Sequence, residues 1–158
     1  MTTTLEAATM TVTLTEAISL NGYDQGSKNT LSIDSVTEVS KRIVTVTTTE
    51  ATIATFSAAV AAGNYIAANV KYIRITNLDD TNFITLTFRN QDNDEFAVKL
   101  DYGQSFMLTG DNVNGMTAIF NATQDADAAS STNFGSLTNI QADADTASCD
   151  LEMFIASV

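Results

Sequence analysis

Between Val70 and Leu108, apolar and polar residues alternate with a period of two. In FITLTF, residues 83–88, Ile84, Leu86 and Phe88 share one parity while Thr85 and Thr87 take the other. Phe96, Val98 and Leu100 repeat the pattern in FAVKL, and Ile73 and Ile75 repeat it upstream. Successive side chains of a strand point to opposite faces, so such a chain buries one face of a sheet and wets the other. These eight apolar residues are expected to supply most of one inner sheet face. Polar turns, NLDDTN (77–82), NQDNDE (90–95) and DYGQ (101–104), punctuate the segment. Turn signals about 8–12 residues apart predict an all-β sandwich or barrel.

The rest of the chain reads in the same way. In MTVTLTEAISL (10–20), Met10, Val12, Leu14, Ile18 and Leu20 share a parity, and Glu16–Ala17 interrupts it as a bulge would. NGYDQGSKN (21–29) reads as a turn or loop. Further strands are predicted in LSIDSVTEV, KRIVTVTTTE, ATIATFSA, MTAIF (116–120) and CDLEMFIASV, the last with Leu151, Met153 and Ile155 on one side. Residues 58–69 read as a loop with at most one helical turn. TQDADAAS (123–130) and IQADADTAS (140–148) read as an acidic loop and an acidic turn framing one more strand. The expected fold is an all-β, jelly-roll-like antiparallel β-sandwich of about 8–10 strands. The expected organisation is a flexible N-terminal arm over 1–9 and a single sandwich domain over 10–158. Threonine, a good residue for half-buried pleated surfaces, is frequent, and proline is absent. Strand edges must therefore be protected by charge, shortness or partner chains.

The formal charge is −12, and all seven cations lie between Lys28 and Lys99. From Leu100 onward there are eight acids and no Lys or Arg. Such a field repels nucleic acid and anionic lipid, so neither is expected as a partner. Arg74 is expected to pair with Asp79 or Asp80. The start MTTTLEAATM lacks a signal peptide's pattern, and no apolar run approaches the roughly 20 residues that span a bilayer. A soluble protein made in a cytoplasm is expected. Cys149 is the only cysteine and reads as a small core residue.

Histidine is absent, which removes Ser-His-Asp, Cys-His and His-metal chemistry. No dinucleotide or triphosphate loop occurs. The carboxylates lie mostly in turns, where they lack the burial that a glycosidase acid needs. The chain is therefore expected to be no enzyme and to carry no cofactor. Calcium is the one alternative weighed, on Asp92 and Asp94 or on Asp125, Asp127, Asp143 and Asp145, because closely spaced acids can supply its oxygens. Solvated Asx-rich turns explain the same residues.

VKYIRITNLDDTNFITLTF followed by FAVKLDYGQSFML resembles small virion structural proteins of tailed phages. The likeness rests on Ile75-Thr76-Asn77, Asp79-Asp80 and Gly103-Gln104-Ser105-Phe106-Met107-Leu108. It covers most of residues 10–110 and leaves out the acidic last third. The resemblance implies a virion protein of the capsid decoration, or cement, type. Such a protein is made in the host bacterium and binds the major capsid protein on the outer shell as a homotrimer. The threonine-rich arm, with Thr2, Thr3, Thr4 and Leu5, is expected to order on docking. A tail, neck or fibre-associated role is the first alternative. A carbohydrate-binding module using Tyr23, Tyr65, Tyr72 and Tyr102 as platforms is the second.

Overall fold

The structure is a computed structural model, and it describes residues 5–122 and 133–158. Among the described residues there is no helix. The chain divides into two compact units, Met1–Glu38 together with Val158, and Val39–Ser157. The sequence reading divides the chain instead into an arm over 1–9 and a domain over 10–158.

The first unit is a β-hairpin. Strands β1 (Ala8–Glu16) and β4 (Ser27–Val36) pair antiparallel, from Glu16 opposite Ser27 to Met10 opposite Ile33, with an irregularity between Ala8 and Met10. The ladder resumes beyond a break as β2 (Ser19–Leu20) and β3 (Tyr23–Asp24), with Leu20 opposite Tyr23. Asn21 and Gly22 close the tip with φ of 52° and 82°. Positive φ at both central residues is the two-residue turn whose twist matches that of the flanking strands, and Asn-Gly is its favoured sequence. The strand expected over 10–20 forms, but a tight turn folds it back onto the next strand, and it joins neither sheet of the second unit. NGYDQGSKN is accordingly mostly ladder, not loop.

The second unit is a β-sandwich. One sheet contains β10 (Glu95–Leu100), β9 (Ile84–Asn90), β12 (Leu137–Ala144), β6 (Ala51–Ser57) and the two-residue β7 (Tyr65–Ile66), in that order. The other contains β11 (Ser105–Thr109), β8 (Val70–Asn77), β13 (Cys149–Ser157) and β5 (Glu38–Val46). Apart from β7, consecutive strands pass from sheet to sheet, and only β9 and β10 are joined as a hairpin within one sheet.

Both sheets contribute to one core. Ile84, Leu86 and Phe88 of β9, Ile140 and Ala142 of β12, Ile73 and Ile75 of β8, and Leu151, Met153 and Ile155 of β13 are buried in it. The alternation read in the sequence is therefore the inward parity. The eight residues expected to share one face belong to two facing sheets, because β8 and β9 lie in different layers. Six of them are buried in the core, and Phe96 and Val98 pack against it half-buried. Cys149 is buried in the same core. Burial, followed by the nearby Asp79 carboxylate, pushes its thiol pKa up, which keeps the nucleophilic thiolate scarce.

Two readings of the acidic third change. MTAIF is not a strand; Phe120 makes a single bridge to Gly135, and Met116 is held by main-chain bonds to and from the 67 and 137 positions. Residues 140–144 are strand, not acidic turn, because Ile140, Ala142 and Ala144 supply an inward face of small apolar groups. Around Phe120, rings form a cluster. Phe88 stacks on Phe96 at 4.9 Å, and Phe120 and Phe134 meet Phe96 and each other edge-on at 5.2–5.4 Å.

Candidate functional site

The hairpin has two unlike faces. Residues directly opposite each other in an antiparallel pair share a face. The pairs Met10–Ile33 and Val12–Leu31 are apolar, and Leu14 continues their row. The intervening pairs, Thr11–Ser32, Thr13–Thr30 and Thr15–Lys28, are polar. The apolar face is partly exposed: Leu14 is 44% exposed and Leu31 is exposed as well, while Met10, Val12 and Ile33 are half-buried. At the tip, Ile18, Leu20 and Tyr23 add three exposed apolar side chains, with Tyr23 72% exposed. Polar ties hold the ribbon's frame. Thr9 donates to the Asp34 carboxylate at 2.9 Å, Ser27 donates to Glu16 at 2.5 Å, and the Gln25 amide donates to the Ile18 carbonyl at 2.9 Å. A two-stranded ribbon on its own is marginal in water, and exposed apolar side chains on it gain from burial. Leu5, expected in the docking arm, is exposed. Thr2, Thr3 and Thr4 lie outside the described residues.

The acidic candidates separate. Asp92 and Asp94 sit in the β9–β10 turn, where Asn90 is the organiser. Its side-chain oxygen accepts the amides of Asp92 (2.9 Å) and Asp94 (2.8 Å), and its amide group donates to the Phe134 carbonyl at 2.6 Å. Asp143 faces outward from β12, where burial and then the Glu50 charge raise its pKa. Asp145 lies just past the strand, with its amide donating to the Phe83 carbonyl at 3.1 Å. Asp125 and Asp127 lie outside the described residues. Among the described residues, no three acidic, cysteine or histidine side chains converge on a point that would hold a metal.

Arg74 pairs with Glu152 and not with Asp79 or Asp80. Glu152 comes from β13, the strand next to β8, and also meets Lys41 at 3.2 Å. Of the tyrosines weighed as sugar platforms, Tyr72 is buried edge-on against Phe154, while Tyr23 and Tyr102 are exposed.

Three carboxylates are held below their ordinary pKa. Asp79 accepts the Asn82 and Thr81 amides at 2.6 and 2.8 Å. Asp111 accepts the Asn114 and Val113 amides at 2.7 and 3.0 Å. Glu152 is lowered by hydrogen bonds from Arg74 and then Lys41. A folded-state pKa below the unfolded one adds stability that is fully present above the unfolded value and is lost as pH falls through the folded value. Stability is therefore expected to decline as pH drops below about 4. Carboxyl NMR titration checks this, and the three midpoints should all lie below those of the urea-unfolded chain.

No protein-family model, no curated protein and no solved structure matches this chain.

Proposed function

We propose that this protein is a non-enzymatic structural component of a tailed-phage virion, a decoration protein that binds the major capsid protein on the outer shell as a homotrimer. In this reading it is made in the bacterial cytoplasm and ends in the virion. The sandwich is then a jelly roll. Counting its eight main strands without the two-residue β7, the first and last, β5 and β13, are neighbours in one sheet, and the chain winds between layers at nearly every step, as two Greek keys do. The observation that carries the reading is the hairpin, with a partly exposed apolar row and, among the described residues, one unpaired edge on each strand. Strand addition along such an edge supplies main-chain bonds, and the apolar row supplies burial. The docking arm is thus the hairpin over 8–36, longer than the nine residues expected. Trimer closure would satisfy three equivalent edges at once.

Changing Leu14 and Leu31 together to serine is expected to abolish sedimentation with expanded shells while the sandwich keeps its melting transition. Wild-type protein that stays monomeric and does not sediment with shells would refute the reading, as would a double variant that binds as well as wild type.

A further inference from the structure

We propose that Asn21–Gly22 is a site of spontaneous deamidation and isoaspartate formation, and that the chain's other Asn-Gly pair, Asn114–Gly115, is protected by its fold. The chemistry is set by the dipeptide. The glycine nitrogen attacks the asparagine side-chain carbonyl carbon, a new carbon–nitrogen bond closes a five-membered imide, and the side-chain nitrogen leaves as ammonia with the proton lost by the attacking amide. Water then opens the imide at either carbonyl. One opening gives aspartate, and the other gives isoaspartate, whose main chain runs through the former side chain. The net change is one amide and one water converted to one carboxylate and one ammonium, so no further reactant is required. Glycine in the second position leaves the attacking nitrogen unshielded, and the sequence contains this pair only twice.

The two pairs sit in opposite settings. The attack requires the turn to open so that the Asn side chain can reach the next nitrogen, and local opening is cheapest where few contacts hold the backbone. At Asn21–Gly22 those contacts are few. Both residues are exposed, and a Cβ built on Gly22 would meet nothing within 4 Å. The Gly22 amide makes no main-chain bond outside the strand ladders. The tip is held by the two-residue strands β2 and β3 and, just outside them, by the Gln25 amide on the Ile18 carbonyl, and the exposed Leu20 and Tyr23 that pair across it gain little from staying together.

At Asn114–Gly115 the attacking nitrogen is engaged. The Gly115 amide donates to the Asp111 carbonyl at 2.9 Å, and the Asp111 amide donates back to the Gly115 carbonyl at 3.0 Å. Gly115 is buried with φ of 53°, and a Cβ there would press on the carbonyls of Ala68, Val70 and Ala67 at 2.5–2.7 Å. The next residue, Met116, is fully buried in the core. Opening this turn means withdrawing Met116 from the core, so the open population is far smaller.

At the hairpin tip the product has two effects. It adds a negative charge three positions before Asp24 in the chain, and isoaspartate lengthens the main chain of a two-residue loop that tolerates no extra atom without losing its register. The full-length chain, native and in urea, is to be held in mildly alkaline buffer at physiological temperature. Peptide mass mapping and enzymatic methylation of isoaspartate then follow both sites. In the native chain the 21–22 site is expected to convert about tenfold or more faster than 114–115, following the difference in open population. In urea the two rates are expected to converge. Equal native rates, an Asn21 that survives in the native chain, or an equally large difference in urea would each overturn the proposal.

Discussion

Phe88→Ala is expected to destabilise the protein by about 3–5 kcal/mol, the usual range for removing a fully buried aromatic ring. Phe88 has no exposed surface, and it ties the two layers together. It stacks on Phe96, its register partner on β10, and meets Phe106 of the facing sheet with centroids 5.1 Å apart. Ile140 lies opposite it on β12. A pocket bounded by strands from both sheets collapses poorly, which places the loss toward the upper end of that range. Against a typical total of about 5–15 kcal/mol, the variant keeps little margin. Urea unfolding checks it, with the midpoint shifted and the slope unchanged. Thr85→Ala, on the outward parity of the same strand, is the control and should stay within about 0.5 kcal/mol. A Phe88 loss below about 1 kcal/mol would mean that the ring does not fill the interior.

The second large effect is expected at Lys71. It shares the parity of Ile73 and Ile75, yet it is a cation and only 9% exposed. Its ammonium donates to three consecutive carbonyls, those of Asp111, Asn112 and Val113, at 3.1–3.2 Å. Lys71 is skipped where the β8–β13 register shifts between Ala156–Tyr72 and Ser157–Val70, and its charge ends among these three carbonyl dipoles. Lys71→Met keeps the stem and removes the donors. The expected loss is about 1.5–3 kcal/mol, the range for one hydrogen bond to a charged group, not three times that, because Asn112 and Val113 are exposed and water can replace the ammonium there. Hydrogen exchange at the Gly110 and Met116 amides, which tie the loop to Lys71 and Ala67, and at the Gly115 amide, which closes it on Asp111, should accelerate in step. Unchanged stability together with unchanged exchange would show that the ammonium does not hold the loop.

How far the sequence reveals this fold depends on whether a residue's role is local. FITLTF and FAVKL were legible because inward and outward residues alternate and differ sharply in polarity. Ile140, Ala142 and Ala144 obey the same rule, but their neighbours include Asp143 and Asp145, and the charges outweigh the small apolar groups in a reading of composition. MTAIF has an apolar pattern and still makes no ladder, because Gly115 and Met116 are already committed to main-chain bonds with the 111 and 67 positions. The hairpin had the clearest missed signal. Asn-Gly between two alternating runs points to a two-residue turn, and merging it into a nine-residue loop concealed the pairing of β1 with β4. The partner of Arg74 was not legible at all, because Glu152 is 78 positions away and only the placing of β13 beside β8 brings it near. The acidic candidates stood out by charge, whereas Asn90, which arranges one of those turns, carries none.

The position of β13 has a consequence for biogenesis. It lies between β8 and β5, in the middle of its sheet, and it is the latest strand in the sequence. While the ribosome is still making it, β5 has no neighbour in that layer and the core lacks Leu151, Met153 and Ile155. The hairpin over 8–36 needs only local contacts and can form early in synthesis, but the sandwich depends on distant pairings that form slowly. Nascent chains therefore carry an incomplete apolar core until β13 emerges, which leaves a window for chaperones and proteases. A message truncated before Cys149 yields a chain that cannot close its second sheet, because β5 then has no neighbour there.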